Sequence, residues 1–230
     1  MDKAKNKCTW ANRSELFAGL PTFVANELIS SARPKDFVSG EVMYFAGDTI
    51  KQVLLLTDGR VKQSHLLESG GEVILRLTIP GEVICHVGLV SGGRHSSTAE
   101  ALQDCKVLAW ESATFEAALA CFPDLQRNAQ RILEHRLAEL ERRFCDISTG
   151  TASPRLANGL VHLLDQIGRR VNGHIEIDIS QEALGQMTGM TPSSVCRLLN
   201  MWKGQGHVKL RKKVIEIHSV SRLLGLRGAR

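Results

Sequence analysis

The chain has 230 residues, enough for one large or two modest domains, with 43% hydrophobic and 23% charged residues and a net charge of +5. That composition belongs to a folded globular chain and excludes a disordered one. No run approaches the roughly 18 apolar residues of a membrane helix, and the opening MDKAKNKCTW is basic and polar, so a membrane span and a secretory signal are excluded and the cytoplasm is the expected location.

The charge is unevenly placed. Residues 151–230 hold four lysines and eight arginines against five acids, whereas residues 1–150 hold 17 basic against 19 acidic residues. A tail carrying the whole positive excess points to a polyanion as partner. Six cysteines (Cys8, Cys85, Cys105, Cys121, Cys145, Cys196) show no C-x-x-C pairing. They read as reduced thiols, not as a zinc site or a disulfide scaffold. Only Cys8 lies near an end, which argues against an iron–sulfur cluster.

After the polar start, SELFAGLPTFVANELISSA carries a broken helical period through Leu16, Phe17, Leu20, Phe23, Val24 and Leu28. From Phe37 to Glu111 short apolar runs (VMYF, QVLLLT, VKQSHLL, EVILRLTI, EVICHVGL, KVLAWE) alternate with turn signals such as Gly47-Asp48, Asp58-Gly59 and Pro80-Gly81. Strands this short and evenly spaced predict an antiparallel roll. SATFEAALACF then predicts a short helix, ended by Pro123. The stretch after it has no internal Gly or Pro and sets Leu133, Leu137, Leu140, Phe144 and Ile147 at spacings of 4, 3, 4 and 3. Such an a/d seam on a charged helix predicts pairing with a second copy, with packing on the roll as the other reading. STGTAS (148–153) is small and polar and reads as a hinge, and Pro154 opens a helix with Leu156, Leu160, Leu163, Leu164 and Ile167 on one side.

The tail SQEALGQMTGMTPSSVCRLLNMWKGQGHV carries the sharpest signal. Ser180 caps a helix that begins at Gln181, Gly189 supplies a left-handed turn, and Thr191 caps a second helix with Pro192 in its first position. Val195, Leu198, Leu199 and Trp202 face inward, which leaves Ser193, Ser194 and Arg197 outside near the helix start. That end enters the major groove in a helix-turn-helix, where an arginine reaches guanine O6 and N7. HVKLRKKVIEIHSV reads as a wing with Lys209, Arg211, Lys212 and Lys213 set for phosphates. Gln181, Thr191, Ser193, Ser194, Arg197 and Lys213 are the candidate DNA contacts. Cys196, on the same helix, is a candidate redox thiol or a small packing residue.

In this order, roll, long helix, hinge and winged helix-turn-helix resemble the bacterial cyclic-AMP receptor protein / fumarate-nitrate regulator family. The stretches that carry the likeness are PGEVICHVGLVSGGRHSSTAEAL, PDLQRNAQRILEHRLAEL and EALGQMTGMTPSSVCRLLNMW. The resemblance implies an α+β chain. Its parts are an effector-binding, cyclic-nucleotide-binding-like β-roll (1–122), a dimerisation helix (123–147), a hinge (148–153) and a winged helix-turn-helix (154–230). It implies a transcription regulator rather than an enzyme, a homodimer on a two-fold DNA site, and RNA polymerase as a further partner. The dimer interface would comprise Leu133, Leu137, Leu140 and Phe144.

It also implies an effector pocket around Cys85, His86, His95, Ser96 and Leu140, from which the cyclic-AMP ligands are gone. Cys85-His86 replaces the Gly-Glu pair that holds the ribose, His95 replaces the phosphate-binding arginine, and Leu140-Glu141 replaces the polar pair at the adenine. Without a guanidinium fork the cyclic phosphate has no bidentate partner, so cyclic AMP is not the expected effector. Arg94 is adjacent, but on a strand it points the other way. Two readings of the histidines stand: surface or satisfied residues, or ligands of a haem sensing nitric oxide or carbon monoxide. In the second, His86 binds the iron, with His65 and His95 as alternatives. The carbon-monoxide-sensing member carries Cys-x-His in this segment, whereas here the two residues are adjacent. A different effector, or constitutive activity, is the alternative within the family. From another class, a cupin-like metalloenzyme needs an H-x-H pair that His65, His86 and His95 do not supply. A regulatory binding subunit without DNA activity is a third option.

Overall fold

A computed structural model describes residues 14–84, 93–149 and 151–226. The chain divides into two compact units, residues 1–66 with 75–138 and residues 67–74 with 139–230.

In the first unit a single helical turn at Glu15–Phe17 precedes helix α1 (Thr22–Ser31). The strands are β1 (Arg33–Phe37), β2 (Val42–Tyr44), β3 (Gln52–Asp58), β4 (Val61–Leu66), β5 (Glu72–Thr78), β6 (Thr98–Ala101) and β7 (Cys105–Glu111). They form two sheets with the orders β1-β7-β3 and β2-β6-β4-β5. β7 pairs antiparallel with both β1 and β3, and β6 with both β2 and β4. Alternation drives this arrangement: in β7, Cys105, Val107 and Ala109 are buried while Lys106 and Glu111 are exposed. Gly59 turns β3 into β4 at φ +97, and a Cβ there would stand 2.6 Å from the Asp104 carbonyl oxygen and the Cys105 sulfur, so only glycine fits.

The core joins Leu16, Leu28, Leu55, Leu56, Trp110, Phe115 and Leu125. Trp110 Nε1 donates to the Leu28 carbonyl at 2.8 Å, which pins α1 to β7 and satisfies the buried indole.

Helices α2 (Ser112–Cys121) and α3 (Pro123–Thr149) follow. The seam does not pack on the roll; other residues of the long helix do. Leu125, Ala129 and Ile132 are buried on the roll, and Asn128 Nδ2 donates to the Leu16 and Ala18 carbonyls at 3.1 and 2.7 Å. Leu133, Leu137, Leu140, Phe144 and Ile147 are instead exposed, by 36, 59, 47, 71 and 46%.

The second unit holds α4 (Ala152–Ile167), β8 (Arg169–Val171), β9 (His174–Asp178), α5 (Gln181–Thr188), α6 (Pro192–Gly204), β10 (Val208–Leu210), β11 (Val214–Ile217) and α7 (Val220–Gly225). Its sheet has the order β10-β11-β9-β8. Leu156, Leu160, Leu163, Ile177, Leu184, Val195, Leu199 and Trp202 are buried together with the inner residues of β11, Ile215 and Ile217.

Several sequence expectations need correction. The hinge is shorter than 148–153: α3 continues through Thr149, and α4 begins at Ala152 with Thr151 extended before it. Pro154 therefore sits in the third helical position, still inside the first turn, where its missing N–H costs no helical bond. The long helix extends past the expected 123–147, and the division into compact units falls within it, between residues 138 and 139, not at 153/154. In the run EVICHVGL, Val83 makes only an isolated bridge to Leu55, Ile84 N donates to Leu54 O at 2.8 Å, and residues 85–89 lie outside the described residues. Strands β1 and β8 were not anticipated. Arg33–Phe37 is almost wholly exposed and reads as polar because β1 is an edge strand, paired on one side with β7.

Candidate nucleic-acid interface

The reading head is assembled by local rules. The Ser180 hydroxyl accepts from Ala183 N at 3.0 Å and starts α5, with Glu182 in its first turn. Gly189 ends α5 in the left-handed region at φ 64, ψ 37. Thr191 then starts α6, its hydroxyl accepting from Ser194 N at 3.3 Å, with Pro192 in the first helical position. Val195, Leu198, Leu199 and Trp202 are buried and fix the rotation of α6. The opposite side is therefore solvent-facing: Thr191, Ser193 and Arg197 are exposed, and Ser194 is half-buried. Thr191 Oγ1 lies 3.0 Å from Ser193 Oγ and 2.9 Å from Ser194 Oγ, so three hydroxyls gather at the positive end of the helix. Such an end favours an anionic oxygen. Arg197 follows one turn later, its guanidinium engaged by no carboxylate among the described residues. Gln181 is half-buried at the start of α5.

The tightest point of the head escaped the sequence reading. A Cβ on Gly185 would stand 2.7 Å from the Met190 carbonyl oxygen, a backbone atom that cannot swing away. The same turn is closed by Met190 N donating to Gly185 O at 3.0 Å. Gly185→Ala is expected to destabilise the protein by about 1–3 kcal/mol, the cost of overpacking. It should lower the urea midpoint, whereas Gly204→Ala, with nothing within 4 Å of the new Cβ, should not. An unmoved midpoint for Gly185→Ala would contradict this reading of the turn.

The wing is the β10–β11 hairpin, with Val208 opposite Ile217 and Leu210 opposite Ile215. Arg211, Lys212 and Lys213 are exposed at its tip. Lys209 is not at the tip, as had been expected, but on the strand, where it and Arg211 lean toward Glu216. Lys213→Ala is expected to weaken all DNA sequences alike and to lower the slope of log affinity against log salt by about one unit per protomer. A sequence-selective loss would remove Lys213 from the phosphate contacts.

The candidate effector pocket, Leu140 apart, lies in the first unit. His95 is buried, with its ring stacked on Tyr44 at 3.5 Å between centroids and 10° between planes. Its backbone closes the turn before β3: His95 N donates to Asp48 O at 2.9 Å, and Gly47 N to His95 O at 2.8 Å. Tyr44 in turn donates its hydroxyl to Ile84 O at 3.1 Å. Arg94, in an isolated bridge to Thr49, is exposed beside buried His95, and its Nη1 donates to Gly47 O at 2.7 Å. A groove of about 510 Å³ runs beside Tyr44, Gly47, Asp48, Lys51, Arg94 and His95.

Of the other pocket candidates, Ser96 is exposed and Leu140 belongs to the exposed stripe of α3; Cys85 and His86 lie outside the described residues. The two described histidines weighed as iron ligands stand in opposite environments, His65 exposed and His95 committed to Tyr44. Among the described residues no group of three metal-binding side chains gathers in the roll, as the cupin-like alternative would require. Among the cysteines, burial chiefly pushes the Cys105 thiol above its ordinary pKa, while hydrogen bonds to Arg60 O and Gln103 O pull the other way. Cys121 and Cys145 are exposed, and half-buried Cys196 accepts from Asn200 Nδ2 at 3.3 Å.

A roll, a long helix and a capped helix pair with a basic wing define a DNA-binding transcription regulator. Comparison with known proteins agrees. The cyclic nucleotide-binding domain family matches residues 34–120, and the Crp-like helix-turn-helix domain family matches residues 154–226. The Mycobacterium tuberculosis CRP-like cAMP-activated global transcriptional regulator is 21% identical over 213 residues, covering 92% of this chain and 95% of that protein. The Thermus thermophilus cyclic AMP receptor protein is 26% identical over 210 residues, covering 91% and 95%. The solved structure of FixK2 from Bradyrhizobium japonicum superposes with a TM-score of 0.77 at 24% identity, over 86% of this chain and 98% of that one. The chain belongs to the cyclic-AMP receptor protein / fumarate-nitrate regulator family. Its relatives are regulators and not enzymes. Among the described residues no helix is long and apolar enough to cross a membrane.

Proposed function

We propose that the protein is a homodimeric regulator that reads a two-fold DNA site, with one α6 in each of two adjacent major grooves and Arg197 reading a guanine in each half-site. The observation that carries this is the stripe Leu133, Leu137, Leu140, Phe144 and Ile147, exposed along one side of α3 at heptad spacing. Apolar residues repeated in this way pair with the same face of a second copy. Two reading heads then meet half-sites one helical turn apart, about 34–36 Å. A mobility shift against a library of paired half-sites tests it. The expected result is selection of inverted repeats at that spacing. Selection of single half-sites, or no selection, would overturn it and favour a binding subunit without DNA activity.

We further infer that the roll answers a signal other than cyclic AMP. What supports this is the fate of His95: it stands where the family's phosphate-binding arginine stands and spends its ring on Tyr44. Adding cyclic AMP is expected to leave operator affinity unchanged. A saturable tightening would contradict the inference.

A further inference from the structure

The wing sheet carries a group of side chains that DNA reading does not use. β9 presents His174 and Glu176 two residues apart, and β11 presents Glu216, with His218 one residue past the strand's end. Glu216 pairs with Glu176 across the antiparallel ladder. The same register sets His218 toward His174, and their ring centroids are 5.2 Å apart. The result is a two-by-two square of imidazoles and carboxylates on one face of two strands.

The square is an uncomfortable one for its carboxylates. Like charges directly opposite each other on a sheet repel, and Glu216 is only 1% exposed. A buried carboxylate needs partners on both oxygens. Glu216 Oε1 finds no hydrogen bond and is met only by the Arg211 guanidinium as an ion pair. Around Oε2 stand His174 Nε2 at 3.9 Å, His218 Nε2 at 3.7 Å and Lys209 Nζ at 3.7 Å, all beyond hydrogen-bonding reach. Glu176 is approached by His174 Nε2 at 3.4 Å and by Arg169 at 3.6 Å. The cations at the rim are long side chains more than half exposed, so they can withdraw without disturbing the backbone.

The spacing suits a small cation better than it suits the contacts now made. A tetrahedral centre with bonds of about 2.0–2.1 Å holds its ligand atoms about 3.3–3.4 Å apart. The ligand atoms of His174, Glu176 and Glu216 all lie within 4.8 Å of one another. Two imidazoles with two carboxylates is a donor set for a divalent transition metal of the zinc class.

We propose that His174, Glu176, Glu216 and His218 form a divalent transition-metal site on the wing sheet, and that filling it frees Lys209 and Arg211 from Glu216 for the DNA backbone. The site stands on its own geometry. The consequence for DNA rests on the function proposed above.

The test uses the full chain, stripped with chelator and titrated with zinc and, separately, with cobalt(II), whose absorption separates nitrogen and oxygen ligands from thiolates. The expected result is one metal per chain without a thiolate charge-transfer band. Affinity should fall by about tenfold or more in His174→Ala and in Glu216→Gln. His218→Ala guards against a folding artefact, since its exposed ring can be removed without opening the core. Metal-free His218→Ala should match metal-free wild type in its circular dichroism and still lose the metal. No binding, or binding through thiolates that all three variants retain, would overturn the site. With metal bound, the salt slope for DNA should steepen by about 0.9 for each cation that reaches a phosphate. Metal binding with an unmoved slope would overturn the release of Lys209 and Arg211. Failure to bind DNA at all would instead count against the proposed function and leave the metal result standing.

Discussion

Leu137→Glu is expected to yield a monomer that has lost its operator. Leu137 is 59% exposed in the single chain and lies in the middle of the stripe, between Leu133 and Leu140. In a paired helix it becomes a knob in a closed seam, and a carboxylate placed there would be desolvated against the same carboxylate of the other copy. In the single chain Leu137 is more than half exposed and outside the buried core, so the fold itself should survive with its circular dichroism intact. Operator affinity should fall to that of one reading head, a loss of about a thousandfold or more, the margin by which specific binding exceeds non-specific binding. Sedimentation equilibrium and mobility shift read the two effects on one sample. A Leu137→Glu dimer with full operator affinity would move the interface elsewhere.

The second large effect is at Arg197. It is exposed one turn into α6, beyond a helix start occupied by small hydroxyl residues that let the backbone approach a groove. Loss of a bidentate arginine–guanine contact costs about 1–3 kcal/mol, roughly 5- to 150-fold in affinity per half-site. Arg197→Ala should therefore flatten the preference at one base pair of each half-site while leaving the others in place. The salt slope should hardly move, because no phosphate contact is removed. Competition against operators substituted at single positions measures it. A variant that keeps its preference at every position would take the base-reading role from Arg197.

The contrast between Arg197 and Lys213 tests whether reading and clamping reside in different elements. One should change which sequences bind, the other how tightly all of them bind.

What was legible in the residues was whatever local chemistry decides. Ser180, Gly189, Thr191 and Pro192 specify two caps, a left-handed turn and a helix start within twelve positions, and each adopts the conformation its side chain favours. The roll was legible for a similar reason: its corners fall on glycines, and Gly40, Gly47, Gly59, Gly70 and Gly81 all take positive φ. What stayed hidden depends on residues distant in sequence. His95 stood open between a satisfied histidine and a ligand, and its stacking on Tyr44, about fifty positions earlier, is not visible in the local sequence. The need for glycine at 185 comes from the Met190 carbonyl that closes over it, five positions on. The wing square is invisible in sequence because it exists only through the β9–β11 register. The long helix misled in a subtler way. One periodicity served two surfaces, with Leu125, Ala129 and Ile132 turned to the roll and Leu137, Leu140 and Phe144 left outside.

The long helix α3 begins on the roll and ends at Thr149, and α4 begins at Ala152.

The most direct measurement is the stoichiometry of the protein on DNA, by sedimentation or native mass spectrometry, on duplexes carrying one half-site or two half-sites one helical turn apart. Two chains bound together on the paired duplex, with only weak binding to the single one, is the predicted result. One chain per duplex, bound equally well to both, would contradict a reader that works in pairs.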